Sequence, residues 1–228
     1  MKDFSRLIAL IGEVNYQKLK NSKIAIVGLG GVGGYVVEGL ARSGVENFTL
    51  VDDDIVKSSN MNRQIIALQS NLGKYKAELW GDRIKDINPD ANVKVIAERY
   101  SEDNPIDFTD VDYVVDAIDS IGCKIELITE CYNNNIPIIS CMGTGAKLGG
   151  DFVVSDLYST SYDAIARRLR RELKKRGVEK LKVVCSEESN KSLCVDEDGK
   201  YVPSSIVYSP CMAGMLIVKE IIKDITLK

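Results

Sequence analysis

The side chains best placed for chemistry follow a short apolar run near the start of the chain. Residues 23–27 read KIAIV and lead directly into the segment GLGGVGG. An apolar run of this length predicts a buried strand, and glycines at its end suit a phosphate-binding turn. We expect Gly28 to permit the tight turn and Gly30 to let backbone N–H groups approach a phosphate. Gly33 would allow the next helix to pack closely on the strand.

A helix and a second strand complete this unit. The pattern predicts a helix over residues 33–42 that stops at Gly44, with N–H donors at its first turn that suit an anion. Residues 48–51 predict a strand that ends at Asp52, whose carboxylate can accept both hydroxyls of a ribose. A glycine turn without a nucleotide is the alternative. The glycines do not choose among NAD, FAD and ATP.

Polar residues after Asp52 add information about the ligand. Asp54, Asn60, Arg63 and Gln64 follow the strand end, where doubly wound sheets bind ligands. An arginine and an amide suit a polyphosphate better than a nicotinamide. The sequence therefore favours a phosphate-rich ligand.

Two further charged residues stand at helix and strand ends. Lys76 falls in the first turn of a helix that Pro89 ends, a position that opposes the helix dipole and points to an anionic partner. Asp119 follows a strand predicted at residues 112–118. There it could hold Mg²⁺ beside ATP or cap the helix predicted at residues 121–134.

Composition excludes several classes of chemistry. The 228 residues include no histidine, so mechanisms that need an imidazole base are excluded. The six cysteines form no C-x-x-C pair, which argues against a zinc ribbon and predicts reduced thiols. The net charge is −3, no apolar run is long enough to span a membrane, and the first residues lack a signal-peptide pattern. A cytoplasmic location is the default expectation.

The remaining elements define the expected fold, an α/β doubly wound, mostly parallel Rossmann-like sheet with an antiparallel C-terminal extension. Residues 1–228 would form one domain, divided into an N-terminal helix at 1–22, a Rossmann-like nucleotide-binding core at 23–150 and an extension at 151–228. The predicted helices not yet given cover 4–20 and 211–225. The predicted strands not yet given cover 93–99, 136–140, 151–158 and 181–187, the last two antiparallel to each other, and a polar loop holding Cys194 covers 189–199.

The helix between those last two strands is strongly basic. Its residues 163–177 read DAIARRLRRELKKRG, with seven cations and a single glutamate at Glu172. A cluster this dense in an acidic protein indicates a polyanionic partner, although a solvated helix face is an equally good interpretation. The candidate residues for binding such a polyanion are Arg167, Arg168, Arg170, Arg171, Lys174, Lys175 and Arg176.

The order of four motifs resembles that of the ThiF/MoeB-type adenylating enzymes, relatives of the ubiquitin-activating enzymes. GLGGVGG begins at Gly28, DDDIVKSSNMNRQ at Asp52, GKYK at Gly73 and DAID at Asp116. The resemblance implies ATP and Mg²⁺ as cofactors and a homodimer. It implies Arg6, Asn60, Arg63, Lys76 and Asp119 as catalytic residues, with Mg²⁺ at Asp119 and Arg6 reaching into the partner subunit's site. The implied nucleotide-binding residues are Gly28, Gly30, Gly31, Gly33, Asp52, Asp54, Arg63, Gln64 and Lys76.

Within that family, the chain is most similar to the tRNA threonylcarbamoyladenosine dehydratase branch. The likeness includes VVDAID with Lys124 five residues on, NIPIISCMGTGAKL and RRELKKRGVEKLKVV. It implies that the carboxylate of the modified adenosine attacks the α-phosphate of ATP, after which the ureido oxygen closes a ring and expels AMP. It also implies that the substrate is tRNA and that the seven cations of the basic helix bind it. A cysteine desulfurase or a sulfur-acceptor protein is a further possible partner. The short loop around Cys194 and the segment SPCMAGM depart from the branch, which leaves Cys194 and Cys211 without a role.

Three alternatives remain open from the sequence. A sulfur-carrier adenylyltransferase would activate the C-terminal glycine of a ubiquitin-like protein, but its usual zinc-binding cysteine pairs are missing. An NAD-dependent oxidoreductase would leave Arg63, Lys76 and Asp119 unexplained. A non-catalytic nucleotide sensor would have lost the reacting arginine and lysine, and both are present.

Overall fold

The computed structural model describes residues 3–161, 163–188, 192–195 and 199–227. Two short helices precede the sheet, α1 (Ser5–Ile11) and α2 (Glu13–Asn21). The single helix predicted over residues 4–20 is therefore wrong. Gly12 lies between the two helices with φ +81° and ψ 155°, outside helical backbone geometry. The apolar spacing continues across this break, which is why the sequence pattern did not reveal it.

A seven-stranded sheet forms the centre of the molecule. Its strands are β1 (Lys23–Val27), β2 (Asn47–Val51), β3 (Asn92–Ile96), β4 (Tyr113–Asp116), β5 (Ile138–Cys141), β6 (Val153–Asp156) and β7 (Lys182–Cys185). The spatial order is β3-β2-β1-β4-β5-β7-β6, and every neighbouring pair is parallel except β6 with β7. The chain winds outward in both directions from β1 and β4, which places a ligand crevice at their carboxyl ends. This confirms the predicted fold class.

In the described part of the chain, five longer helices follow the first strand. They are α3 (Gly31–Arg42), α4 (Lys76–Ile87), α5 (Ile121–Asn133), α6 (Ala164–Lys175) and α7 (Tyr208–Thr226), with short 3-10 turns at Ser58–Asn60, Gln69–Asn71 and Leu157–Ser159. Helix α3 begins two residues before the predicted start because the Gly34 N–H already donates to the Gly30 carbonyl. It ends before Gly44, as predicted, where φ is +84°. Within the described residues, no helix is long and apolar enough to cross a membrane.

The two faces of the sheet bury different sets of side chains. Ile24 and Ile26 of β1 belong to the larger core, which α3, α4 and α7 cover. Ala25 and Val27, the alternate residues, pack on the opposite face with Leu127 of α5. This alternation is the two-residue period of a strand that is buried on both faces. The parallel strands are thereby fixed in register, and so are the loops at their carboxyl ends.

The C-terminal part of the chain extends this sheet. Strand β7 inserts between β5 and β6, parallel to β5 and antiparallel to β6. The antiparallel pairing predicted for these last two strands is confirmed. The loop predicted at 189–199 is wrong at Leu193–Val195, because this segment is strand β8, which pairs with β9 (Tyr201–Pro203). The rest of that prediction at 189–191 and 196–198 lies outside the described residues.

Candidate active site

A cleft of about 550 Å³ opens at the carboxyl ends of β1, β2 and β4. It lies at the point where the direction of winding reverses, which is the ligand-binding position of open α/β sheets. The sheet brings most of the predicted site residues together along its wall. These are Gly28, Gly30, Gly31, Asp52, Asp54, Asn60, Arg63, Gln64, Lys76 and Asp119.

The glycine loop is held too closely for side chains. Gly28 has φ +90°, and a Cβ atom there would lie 2.5 Å from the Ala117 carbonyl oxygen. A Cβ atom on Gly33 would lie 1.8 Å from the carbonyl oxygen of Gly28. Gly33 does not line the cleft, so its role is the close packing predicted for it. Helix α3 begins at this loop with no side-chain cap, which leaves backbone N–H donors facing an incoming anion.

Asp52 is fixed by two backbone donors. Its Oδ2 accepts a hydrogen bond from the Leu29 N–H at 2.5 Å, and its Oδ1 accepts from the Asp54 N–H at 2.8 Å. Burial raises the pKa of this carboxyl above its usual value, and the nearby Lys76 ammonium opposes that rise. The carboxylate is thereby held beside the glycine loop, within reach of a sugar whose phosphates bind that loop.

Lys76 is the buried cation of the cleft. Its side chain is 4% exposed, and its Nζ donates to Oδ2 of Asp54 at 2.6 Å. The Asp54 side chain is 63% exposed. The position of Lys76 in the first turn of α4 opposes the helix dipole and therefore indicated an anionic partner. In this structure that partner is Asp54 of the same chain. An ammonium with one solvent-facing partner can bind a phosphate oxygen while the carboxylate turns toward water.

Three polar residues form the side of the cleft that follows β2. Asn60 is buried, and its Oδ1 accepts from the Lys57 N–H at 3.0 Å. Gln64 is buried too, and its Oε1 has no hydrogen-bond partner in the described part of the chain. Arg63 donates through Nη1 to the Ser59 carbonyl at 2.8 Å and to Oδ1 of Asn62 at 3.0 Å. The Nη1 bonds fix the guanidinium and leave its other donors available to a ligand.

Acidic residues gather at the mouth of the cleft. Asp119 is exposed, and the N-cap of α5 is the next residue, Ser120, with no side-chain capping bond. The structure therefore does not place Asp119 in the capping role that the sequence left open. Carboxylate oxygens of Asp52, Asp53 and Asp54 lie within 4.8 Å of one another. Hard oxygen donors of this kind are the ligands that Mg²⁺ prefers.

The sequence interpretation did not select several residues of the cleft wall. The segment after β3 supplies Glu98, Arg99 and Tyr100, and the Arg99 Nη2 lies 3.9 Å from Sγ of Cys123 on α5. The strand-end rule that found Asp52 would have found this segment if it had been applied to β3. Pro210 of α7 also lines the cleft, against Gly31, and no local signal marks it.

Arg6 does not lie in the cleft of its own chain. It is exposed on α1, and the cleft wall contains no residue of that helix in the described part of the chain. The predicted contact across a dimer remains a prediction.

The basic helix α6 buries one apolar face, with Ala166, Leu169 and Leu173 packed in the core. Two cations of the basic segment bind other parts of the same chain. Arg170 donates to the Thr160 carbonyl at 2.8 Å and also to the Thr160 hydroxyl, and it fastens the turn before the helix.

Arg176, just after α6, forms two 2.6 Å bonds with the Glu126 carboxylate of α5. Arg171 and Lys175 both pair with Glu172. Among the seven predicted tRNA-binding residues, the exposed cations with no such pairing in the described residues are Arg167, Arg168 and Lys174.

The start of α6 lies next to the cleft. Asp163 caps the helix by accepting from the Ala166 N–H at 2.9 Å. A Cβ atom on Gly143 would lie 3.4 Å from Ile165 Cδ1, and the next residue, Thr144, lines the cleft. A polyanion bound along α6 would therefore approach the cleft from the side of residues 143–144.

Comparison with known proteins gives a consistent result. The ThiF family model matches residues 4–228. The tRNA threonylcarbamoyladenosine dehydratase of Bacillus subtilis is 39% identical, with 100% of this chain and 98% of that protein aligned. The Escherichia coli protein of the same name is 40% identical over 75% of this chain and 65% of its own length. A crystal structure of the E. coli dehydratase TcdA in complex with ATP superimposes with a TM-score of 0.88 at 33% identity, covering 98% of this chain and 93% of that one. The chain therefore belongs to the ThiF family.

Proposed function

We propose that this protein uses ATP to dehydrate threonylcarbamoyl adenosine in tRNA to its cyclic form. The observation that carries the proposal is the cleft, where a capless helix N-terminus, the fixed Asp52 carboxylate and the buried Lys76 ammonium converge. Together these groups can bind the phosphates and the ribose of a nucleoside triphosphate and offset its negative charge. The similarity to dehydratases of the ThiF family supports the choice of acceptor.

The chemistry needs activation of a carboxylate, because a free carboxylate has no adequate leaving group. A carboxylate oxygen of the threonyl group attacks the α-phosphorus of ATP, and the bond to pyrophosphate breaks. The neighbouring ureido group then attacks the activated carbonyl carbon, loses its proton and expels AMP. The tRNA loses one water in total. No step requires a protein nucleophile or an imidazole, in agreement with a chain that has no histidine.

The protein contributes position and charge. Backbone N–H groups at the start of α3 would hold phosphate oxygens, and Asp52 would accept the ribose hydroxyls. Lys76 and Arg63 would offset negative charge that builds up on the α-phosphate during attack. Asn60 and Gln64 would line the side where the reacting groups meet.

Mg²⁺ fits the carboxylates at the mouth of this cleft. Asp119 would hold the ion, with the cluster of Asp52, Asp53 and Asp54 beside it. When bound, the ion would neutralise triphosphate charge. These carboxylates follow β2 and β4, the two strands that flank β1 and pair with it in the sheet.

The exposed cations of α6 would hold tRNA phosphates. The helix begins beside the cleft, so a tRNA bound along it could deliver one nucleoside past residues 143–144. This surface and the cleft are separate parts of the molecule, and each can be altered without the other. A sulfur-transfer partner, either a cysteine desulfurase or an acceptor protein, has no support from any described feature.

The decisive experiment is mass analysis of nucleosides from tRNA after incubation with the pure protein and ATP. We expect the threonylcarbamoyl nucleoside to lose the mass of one water, with one AMP formed for each nucleoside converted. NAD in place of ATP should give no conversion and should raise the melting temperature less than ATP does. Adenylation of a ubiquitin-like carrier without any change in tRNA would favour the carrier adenylyltransferase instead.

We also propose a two-fold dimer in which Arg6 of each subunit completes the partner's cleft. Arg6 is exposed and lies outside its own cleft, as such a role requires. Mixing inactive Arg6→Ala and Asp119→Ala proteins should restore part of the activity, because every hybrid dimer contains one intact site and one site that lacks both residues. Absence of recovery, after subunit exchange has been verified by mass spectrometry of tagged chains, would contradict the shared site.

A further inference from the structure

Behind the cleft wall, Lys124 on α5 is a buried cation that the proposed chemistry does not use. Its residue exposure is 1%, and its Nζ has three acceptors. It donates to Asp116 Oδ2 at 2.8 Å, to Ser140 Oγ at 3.2 Å and to the Cys141 carbonyl at 3.0 Å. The Ser140 hydroxyl also donates to Asp116 Oδ2 at 2.5 Å. One ammonium group therefore joins the carboxyl ends of β4 and β5.

Each of these two strand ends continues into a segment of the cleft wall. After β4, Asp116 Oδ1 accepts from the Ile118 N–H at 3.2 Å, which shapes the turn carrying Asp119. That turn also forms the close contact between Ala117 and Gly28 of the glycine loop. The nucleotide side of the cleft thus depends on the position of Asp116.

After β5, the chain passes from Cys141 to residues 142–144. Thr144 lines the cleft, and its carbonyl accepts from the Ser209 hydroxyl at 2.7 Å. A Cβ atom on the neighbouring Gly143 would lie 3.4 Å from Ile165 Cδ1, so this segment passes close to the start of α6. This segment is the side from which the proposed tRNA nucleoside would arrive.

A buried ion pair is a poor source of stability, because removing both charges from water costs about as much as their attraction returns. The ion pair instead fixes geometry, because three fixed acceptors hold one donor in a single position. A cation that only filled space behind the sheet would not need acceptors from two strand ends.

We propose that Lys124 is a positioning residue that sets the distance between the nucleotide side and the acceptor side of the cleft. It acts through Asp116 and through the Cys141 carbonyl, and it touches neither substrate. The kinetic test of this inference rests on the proposed function. The structural test, by hydrogen exchange, does not depend on that function.

The test compares a double variant, Asp116→Asn with Lys124→Met, with the single variant Lys124→Met. The single variant leaves a carboxylate buried without its cation and can fail to fold. The double variant removes both charges at similar volume and is expected to stay folded, with an unchanged circular-dichroism spectrum. The matched control is Lys182→Met, which removes another partly buried lysine, bound to Glu220 and Asp224 away from the cleft.

In the double variant, kcat for AMP formation with modified tRNA should fall by about 100-fold, the effect of a misplacement near 1 Å. ATP affinity measured by calorimetry should fall much less than kcat, because the glycine loop, Asp52 and Lys76 keep their own contacts. Backbone amides of residues 117–120 and 142–144 should exchange hydrogen for deuterium faster than in the parent protein. Lys182→Met should alter neither kcat nor exchange in these two segments.

A stable double variant with parental kcat would overturn the proposal, and so would unchanged exchange in both segments. Equal losses of ATP affinity and kcat would also overturn it, because they would make Lys124 part of nucleotide binding. If the parent protein forms no AMP with modified tRNA, the proposed function fails. The exchange measurement, made without substrate, still decides the role of Lys124.

Discussion

Cations concentrate in two regions of this molecule, the cleft and the exposed face of α6. In the cleft, Lys76 is buried and bound to a specified carboxylate, so its ammonium has one position. On α6, Arg167, Arg168 and Lys174 are exposed, and no ion pair within the described residues fixes them. A cation held in one position can bind one atom of a small ligand. Several mobile cations together can bind a polymer of repeated charges. A single substitution in the cleft should therefore have a large effect on activity by itself. Substitutions on the helix should each weaken tRNA binding a little, and their effects should add up.

The largest difference is expected from the cleft lysine. Lys76→Met should lower kcat for AMP formation by about 10² to 10³-fold, the effect of removing one preorganised charge from a reacting oxygen. The fold should be retained, because the abandoned partner Asp54 is mostly exposed to water. Single-turnover AMP formation measures the effect. Lys74→Ala, an exposed lysine two residues away, is the control and should be close to the parent.

The helix should respond in a different way. Replacing Arg167, Arg168 and Lys174 together by alanine should weaken tRNA binding, and each lost phosphate contact should reduce the salt slope by about 0.7 to 0.9. ATP affinity should not change. Filter binding at a series of salt concentrations measures the slope, and the three single variants should each give about a third of the effect.

Arg170→Ala provides the control within the same helix. Arg170 fastens the turn before α6, so its removal should lower the melting temperature without changing the salt slope.

An unchanged salt slope in a stable triple variant would mean that the face is merely solvated. The contrast between the two regions would then be lost, and tRNA would have to bind elsewhere.

The smallest effect concerns the pH dependence of Asp52. Burial raises its pKa above the usual 3.8, while ribose hydroxyls need its charged form as acceptor. ATP affinity should therefore fall as pH falls through this raised pKa, and calorimetric titration should show that Asp52→Asn loses this part of the acid dependence. Asp52 lies in the cleft and not on α6, so Asp52→Asn should leave the tRNA contacts made by the helix cations unaffected.

In the absence of ATP, the same raised pKa has the opposite effect: Asp52 stabilises the folded protein at low pH and not at high pH. The folded protein binds the proton more tightly than the unfolded chain does, so the contribution of Asp52 to the free energy of unfolding is greatest below its unfolded pKa. This contribution is lost as pH rises through the folded pKa. Urea unfolding of the parent and Asp52→Asn proteins at several pH values would test the sign. A parent that gained stability from Asp52 with rising pH would contradict it.

Sequence patterns were most informative where one short segment determines the geometry. The strand, glycine turn and terminal carboxylate at residues 23–52 are local features, and the cleft contains them as predicted. Long-range pairings were beyond such patterns. Nothing near Arg170 or Arg176 shows that Thr160 and Glu126 bind them, and nothing near Pro210 shows that it lies against Gly31.

The break at Gly12 illustrates a second limit. Leu10 and Val14 fit the helical apolar spacing on both sides of this glycine, yet they are 82% and 75% exposed. Periodicity records which residues are apolar, but not whether a neighbouring surface covers them. A single residue with positive φ is enough to divide the predicted helix in two.

The insertion of β7 between β5 and β6 affects the order in which the chain can fold during synthesis. Strand β6 is made first, but it has no neighbour in the sheet until residues 182–185 leave the ribosome. Helix α7, which brings Pro210 to the glycine loop, emerges later still. Domains generally fold as units, so the wall of the cleft that α7 supplies is missing until this last helix is available. We therefore expect nascent chains to acquire tight nucleotide binding only after the final helix has been translated.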